Sequence, residues 1–268
     1  MKLTARLADF ITGGLDFVSR RVGRYGRYAF LDAKQRELGG VEPIEFEAIL
    51  LTYLLGRKDF FFVQVGAHEG EAGDPLCDLV KQRGLRGIMV EPQPEMFAKL
   101  CSNYDGFPQL HFEQAAIAPT DGTVDFYRVD PAFWRKHNLN PGSESEISSL
   151  DPKQIRFHVE LFGGKALAAR EAEYLTSVQV PALTLRTLLA KHGVAKYDLL
   201  QIDAEGFDYE ILKMIEWDSA PPLIQWETVH LSVPDRVAAW DLVRSKGYRL
   251  FAPNSYNTLA VREKELAV

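Results

Sequence analysis

The 268-residue sequence predicts an α/β domain in which an open, mostly parallel sheet carries helices on both faces. Three observations predict it. The apolar run Phe60–Val65 breaks abruptly into Gly66-Ala-His-Glu-Gly70, a second run, Gly87–Glu91, ends in acid, and Asp198–Ile202 is followed by Asp203-Ala-Glu-Gly206. Runs that are apolar throughout suit central parallel strands buried on both faces. Small or acidic residues at their C-terminal ends describe a nucleoside-binding crevice in an open sheet.

The elements follow in order. Residues 1–39 read as one or two helices, interrupted at Gly13-Gly14 and punctuated at Gly39-Gly40. From Glu42-Pro43 a helix with apolar Phe46, Ile49, Leu50 and Leu54 leads into the first strand, Phe60–Val65. Asp74-Pro75 opens the next helix, with Asp as N-cap and Pro at the first helical position, and the helix runs to about Arg83. A second strand covers 87–91, a helix Pro94–Asn103, and a third strand His111–Ile117. Gly122–Val129 alternates in the manner of an antiparallel strand, with Val178–Leu183 as its partner.

Between that pair lies Asp130–Thr176, with Trp134, Ser143, Ser145, Ser148, Ser149, His158 and Gly163-Gly164. It is too long for an ordinary connection and falls near the strand ends, where a substrate lid is placed. The alternation resumes with helix Thr184–His192, a fourth strand Tyr197–Ile202, helix Tyr209–Ile215 and a fifth strand Leu223–Trp226. Helix Asp235–Lys246 and a hairpin-like pair, Tyr248–Phe251 with Thr258–Val261, close the sheet.

Composition sets the class. Hydrophobic and charged fractions of 46% and 25% are those of an ordinary globular protein. No apolar run approaches the roughly 20 residues needed to span a bilayer, and no secretory signal is legible, so the expected location is cytoplasmic. Cys77 and Cys101 have neither disulfide nor metal-ligand spacing and read as buried small hydrophobes. Charge is uneven: residues 1–36 carry a net +5, which leaves −11 on the rest. An acidic body argues against a nucleic-acid substrate. The basic segment reads either as a solvated helical arm or as a surface for peripheral contact with an anionic membrane.

The loop after the first strand narrows the ligand. Aligned on a dinucleotide fingerprint, Gly66 would be followed by His68 and Glu71 where the second and third glycines belong. An imidazole would block close approach and a carboxylate would repel a pyrophosphate, which disfavours a NAD-dependent oxidoreductase. No Walker-type Gly-Lys-Ser/Thr follows the strand either. A nucleoside without phosphate fits better. S-adenosylmethionine is the common one, and its sulfonium would favour Glu91 and Asp203 as neighbours.

Val65-Gly-Ala-His-Glu-Gly70, Glu91-Pro-Gln-Pro-Glu-Met-Phe97, Ile202-Asp-Ala-Glu-Gly206 and Trp226-Glu227 together resemble the ordered motifs of FkbM-type S-adenosylmethionine-dependent methyltransferases, from about Phe60 to Glu227. The resemblance implies a class I (Rossmann-like) methyltransferase fold and transfer to a hydroxyl oxygen of a sugar, glycolipid or secondary metabolite. His68 departs from the family, which more often has Asn there. The expected organisation is a basic helical extension over 1–45 and a methyltransferase domain over 46–268, with the insertion 130–176 between the third and fourth core strands. The alternative function is a nonenzymatic protein of this fold that docks a membrane or protein partner through its basic arm.

The expected cofactor residues are Gln64, Gly66, Ala67, His68 and Gly70 of the first strand and loop, with Glu91 for the ribose hydroxyls. Pro92 and Gln93 would flank the adenine, Ala115, Ala116 and Ile117 would offer it an apolar slot, and Asp203 would meet the methionine end. Transfer to oxygen also needs a base and an acceptor cradle. The candidates are Asp203, Glu227, His230 and His158, while Glu205 is assigned to capping the following helix. Asp203, Glu205 and Glu227 could hold a divalent ion through oxygen, but no ligand spacing supports it and no metal is expected.

Overall fold

The computed structural model describes residues 42–43, 46–54, 59–137, 148–254 and 256–265. Residues 1–41 of the expected N-terminal extension, and Ser143 and Ser145, lie outside these residues. Glu42–Pro43 is a two-residue strand, β1, so the next helix begins later than expected, as α1 (Phe46–Leu54).

The chain then alternates through β2 (Phe61–Val65), α2 (Cys77–Arg83), β3 (Arg86–Val90), α3 (Pro94–Asn103) and β4 (Leu110–Glu113). Helix α3 starts with Pro94 behind an extended Gln93, where the missing N–H is no loss. Helix α2 ends on Gly84 in the left-handed conformation, with φ 62°. It does not begin on Asp74-Pro75 as expected. The Asp74 carboxylate turns back to accept from Leu76 N–H at 2.8 Å, and the helix starts only at Cys77. Both cysteines are half-buried and unpaired, more open than the sequence implies.

The single third strand expected over His111–Ile117 is two strands. β4 stops at Glu113, whose carboxylate is bound by Lys191 Nζ at 2.8 Å and His192 Nε2 at 3.0 Å. Ala116–Ile117 is β5, which turns away to pair with another sheet. That sheet also holds β6 (Gly122–Val129) and, after α4 (Pro131–His137), β7 (Ser148–Ser149). Three helices, α5 (Pro152–Gly163), α6 (Lys165–Ala168) and α7 (Glu171–Tyr174), lead to β8 (Leu175–Leu183). The sheet order is β5-β8-β6-β7, with β6 and β8 antiparallel as expected and their pairing extended to Val129↔Leu175.

The remainder is α8 (Leu185–Lys191), β9 (Leu199–Ile202), α9 (Asp208–Lys213), β10 (Leu223–Glu227), α10 (Val233–Ser245), β11 (Tyr248–Ala252) and β12 (Asn257–Arg262). The large sheet has the order β1-β11-β12-β10-β9-β2-β3-β4. Only β12 runs antiparallel to its neighbours, which is the class I methyltransferase layout. Winding reverses between β2 and β9, and that switch point places a crevice at their C-terminal ends.

The two-residue period of the strands sorts the core. Val63, Val65, Leu200, Ile202, Ile224 and Trp226 pack on one face against Leu188, Leu212 and Trp240 of α8, α9 and α10. Phe62, Met89, Leu199 and Leu223 pack on the other against Leu50, Val80 and Leu100 of α1, α2 and α3. The insertion has a small core of its own, with Phe133, Trp134, Ile155, Val159 and Tyr174. Among the described residues, no helix is long and apolar enough to cross a membrane.

Candidate active site

The site begins where β2 and β9 part. Gly66 turns the chain with φ 79°, and a β-carbon there would stand 1.7 Å from the carbonyl oxygen of Asp203. Asp203 N–H donates to Val65 O at 2.9 Å, while Gly66 and Ala67 N–H both donate to Val90 O. The loop is thus bonded to the strands on both sides of β2. Gly70 serves a different end. It does not line the crevice; its missing β-carbon would meet Tyr104 and Leu100 at 2.5 and 2.6 Å, so glycine lets the loop pack on α3.

Glu91 is buried behind β3. Its Oε2 accepts from His68 N–H at 2.9 Å and its Oε1 from Gln93 N–H at 2.8 Å. Burial outweighs these two donors and pushes the carboxyl up to about 7. Each oxygen keeps lone-pair capacity for a further hydroxyl donor.

Gln64, Gly66, Ala67, His68, Glu91, Pro92, Gln93, Ala115, Ala116 and Asp203 line one cavity of about 210 Å³. Ala115, Ala116, Ile117, Phe126 and Leu150 give it an apolar wall. Asp74, assigned from sequence to a helix cap, lines it as well, and so does Gln201. Asp74 Oδ2 and the Oε1 atoms of Gln64 and Gln201 are buried with no hydrogen-bond partner among the described residues. Gln64 and Gln201 are register partners across β2 and β9, so they stand side by side. Burial raises the Asp74 carboxyl to about 6. The end walled by these groups has unspent hydrogen-bonding capacity, as a polar, charged ligand requires.

Asp203 is exposed where it lines the cavity, yet the protein packed around it desolvates the carboxyl enough to raise it to about 6. Its three companions, His158, Glu227 and His230, lie outside the lining and gather behind Glu205. His230 Nε2 is 3.3 Å from Glu205 Oε2 and 3.4 Å from Glu227 Oε2, and His158 Nε2 is 3.9 Å from Glu205 Oε2. The two imidazoles are 4.5 Å apart between ring centres. Burial holds His158 below its usual range, and burial with the neighbouring His158 takes His230 down to about 4. Burial and the charges of Asp203, Glu205 and Asp208 drive Glu227 up to about 11.

Glu205 does not cap α9, contrary to expectation. It sits at φ 48°, in the left-handed region, which turns its side chain toward the histidines. Asp208 is the carboxylate that binds backbone there. Fully buried, it accepts from Gly206 N–H at 3.2 Å and Glu227 N–H at 3.1 Å, joining the turn after β9 to the end of β10.

The insertion is fastened to this turn. Ser149 Oγ donates to Glu205 O at 2.8 Å, and Gln154 Nε2 donates to His230 O at 2.9 Å. Gly206 makes room for that reach, since a β-carbon would come within 2.4 Å of Gln154 Nε2. Helix α5 begins beside these contacts on an Asp151 cap, with Pro152 in its first turn, and so carries His158 to the cluster.

Residues 64–250 match the methyltransferase FkbM domain. The chain belongs to the FkbM methyltransferase family. No curated protein matches the sequence. Among solved structures, a methyltransferase FkbM from Methylobacillus flagellatus KT is similar at 11% identity and TM-score 0.44, over 76% of this chain. The present chain spans 43% of that protein. A fibrillarin/Nop5p complex is similar at 13% identity and TM-score 0.36 over 79% of this chain and 78% of that one. The MTase domain of METTL16 follows at 14% and 0.34, over 89% of this chain and 95% of that one.

For an FkbM-type domain, the residues missed from sequence are instructive. Asp74 was hidden by a plausible helix start. Gln201 did leave a signal, as a polar residue of an otherwise apolar strand at the position paired with the expected Gln64.

Proposed function

We propose that this FkbM-family domain binds S-adenosylmethionine in the cavity and methylates a hydroxyl oxygen of a small-molecule or glycan acceptor. The observation that carries the reading is the joint placement, around one cavity, of Glu91, the Gly66–Asp203 close approach and the buried oxygens Asp74 Oδ2, Gln64 Oε1 and Gln201 Oε1, which lack hydrogen bonds among the described residues. The fit is chemical. Glu91 would hold the ribose hydroxyls, the alanine wall the adenine, and Asp74 with the two glutamines the charged amino-acid end. When bound, the cofactor supplies an electrophilic methyl group on a sulfonium.

The chain's own task is to hold the acceptor and move one proton. Asp203 is the only one of the four candidates that faces the cavity, so it takes the hydroxyl proton. Its raised affinity for protons suits it to that work near neutral pH. His158, His230 and Glu227 hold the acceptor side from behind Glu205. The acidic body supports an acceptor other than nucleic acid. The reading is tested by calorimetric titration with S-adenosylhomocysteine, with NADH as control. Saturable binding of the first alone supports it; binding of NADH in competition with it overturns it.

A further inference from the structure

We propose that His158, His230 and Glu205, with Glu227 beside them as a fourth donor, form a site for one divalent first-row transition ion, of the zinc or manganese kind. The four come from three separate places: the insertion helix α5, the turn after β9, and the end of β10 with its following turn. Metal bonds of about 2.0–2.2 Å put neighbouring tetrahedral donors about 3.3–3.6 Å apart. The His230 Nε2 separations of 3.3 and 3.4 Å from Glu205 and Glu227 already fall there. His158 Nε2 is 3.9 Å from Glu205 Oε2, and the donor atoms of His158, Glu205 and His230 all lie within 4.8 Å of one another.

The hydrogen bonding points the same way. Gln154 O lies 2.9 Å from His158 Nδ1, and a carbonyl can only accept, so the proton of that ring is on Nδ1. The Nε2 lone pair of a side chain only 6% exposed is therefore aimed at the Glu205 carboxylate, acceptor against acceptor. A carbonyl fixing the far nitrogen is how proteins commonly orient an imidazole toward a metal. Glu227 Oε2 is buried and has no hydrogen bond among the described residues. A cation satisfies the Glu227 oxygen and the His158 nitrogen together. Two imidazoles with two carboxylates favour a transition ion over magnesium or calcium, which prefer oxygen alone.

The ion would stand beside Glu205, which lines the cavity, within reach of an acceptor oxygen. That use rests on the methyl-transfer reading; the site itself does not. The test uses tag-free full-length protein, stripped with chelator and titrated with ZnCl2, MnCl2 and MgCl2. Bound CoCl2 is followed by its visible absorption. The expected result is one zinc per chain, displaced by cobalt with a tetrahedral spectrum, and affinity at least about 100-fold weaker in His158→Ala and His230→Ala. Glu227→Gln, close in shape, covers the case in which a histidine variant fails to fold, and is expected to weaken binding about 10-fold or more. No stoichiometric zinc or cobalt binding overturns the proposal. So does binding that is unchanged in these variants but lost in His192→Ala, whose ring stands against His111 and Glu113 elsewhere on the fold. Zinc binding without S-adenosylhomocysteine binding would sink the methyl-transfer reading and leave the metal site standing.

Discussion

Gly66 and Asp203 meet backbone to backbone: where Gly66 lacks a β-carbon, the carbonyl oxygen of Asp203 occupies the space, 1.7 Å from where that carbon would be. The neighbour is main chain and cannot rotate away, and φ at Gly66 is positive as well. Gly66→Ala must therefore push β2 and β9 apart. The expected cost is about 3 kcal/mol of stability, with loss of cofactor binding. Denaturant unfolding and S-adenosylhomocysteine titration check it, with Gly73→Ala as comparison. Gly73 shares a positive φ but has nothing within 4 Å of the added carbon, so that change should cost about 1 kcal/mol.

Glu91 holds two backbone donors, and in the proposed function it holds the ribose hydroxyls besides. In Glu91→Gln one oxygen becomes an NH2 group, which sets a donor against the N–H of His68 or Gln93. Cofactor affinity is expected to fall by about 1–3 kcal/mol. Calorimetry on protein whose circular dichroism is unchanged would measure it, and equal affinity would remove Glu91 from the ribose role.

The affinity should also depend on pH. Asp74 and Asp203, both raised to about 6, are protonated in acid and cannot then pair with a cationic ligand. Affinity for S-adenosylmethionine is expected to climb between pH 5 and 7 by up to about tenfold per unit per coupled carboxyl, then level off. Titrations across that range test it. Asp74→Asn should flatten part of the rise, and a flat wild-type profile would dissociate these carboxyls from the cofactor.

Asp208 accepts two backbone N–H groups from a fully buried position. Asp208→Ala leaves both donors without a partner, for an expected loss of about 3 kcal/mol in unfolding free energy. The wild-type contribution is pH-dependent. Burial raises the carboxyl to about 7, so the folded state binds the proton more tightly than the unfolded chain. This group's share of stability is full below pH 4 and fades as pH rises through 7. Melting curves of wild type and variant between pH 5 and 8 should converge toward the alkaline end.

Gln154→Ala removes the bond to His230 O that ties helix α5 to the strand-end turn. Backbone amides of 152–163 are expected to exchange faster, by about 1 kcal/mol in opening free energy, with those of β2 unchanged. Equal acceleration in both would mean that the insertion and the parent domain open as one unit.

The order of the core strands was legible because each carries an unbroken apolar run ending in glycine or acid, and burial on both faces leaves no other pattern. Glu91 and Gly66 were legible for the same reason: their roles depend on lying at a strand end. The cluster behind Glu205 was not. His158 reaches it only because Gln154 passes over Gly206 and bonds to His230 O, a tertiary contact with no local trace. Asp74 was misplaced because Asp-Pro before a helical pattern is a sound start signal, whereas one carboxylate oxygen here bonds locally and the other faces the cavity. The split of β4 from β5 falls where Lys191 and His192, from a distant helix end, meet Glu113, a contact that periodicity does not record.

Strands β6 and β8 pair along eight register positions, from Gly122↔Ala182 to Val129↔Leu175, and Asp130 N–H then donates to Tyr174 O at 2.7 Å. Everything between those last two residues leaves and re-enters the parent domain through one clasp. Closing a loop at such a clasp depends only weakly on loop length. Residues can thus be gained or lost there without shifting the register of either sheet or the cofactor wall. The same clasp delivers His158 to the strand ends, so a chain that exchanges this segment exchanges one wall of the cavity mouth and the histidine beside Glu205 in a single step.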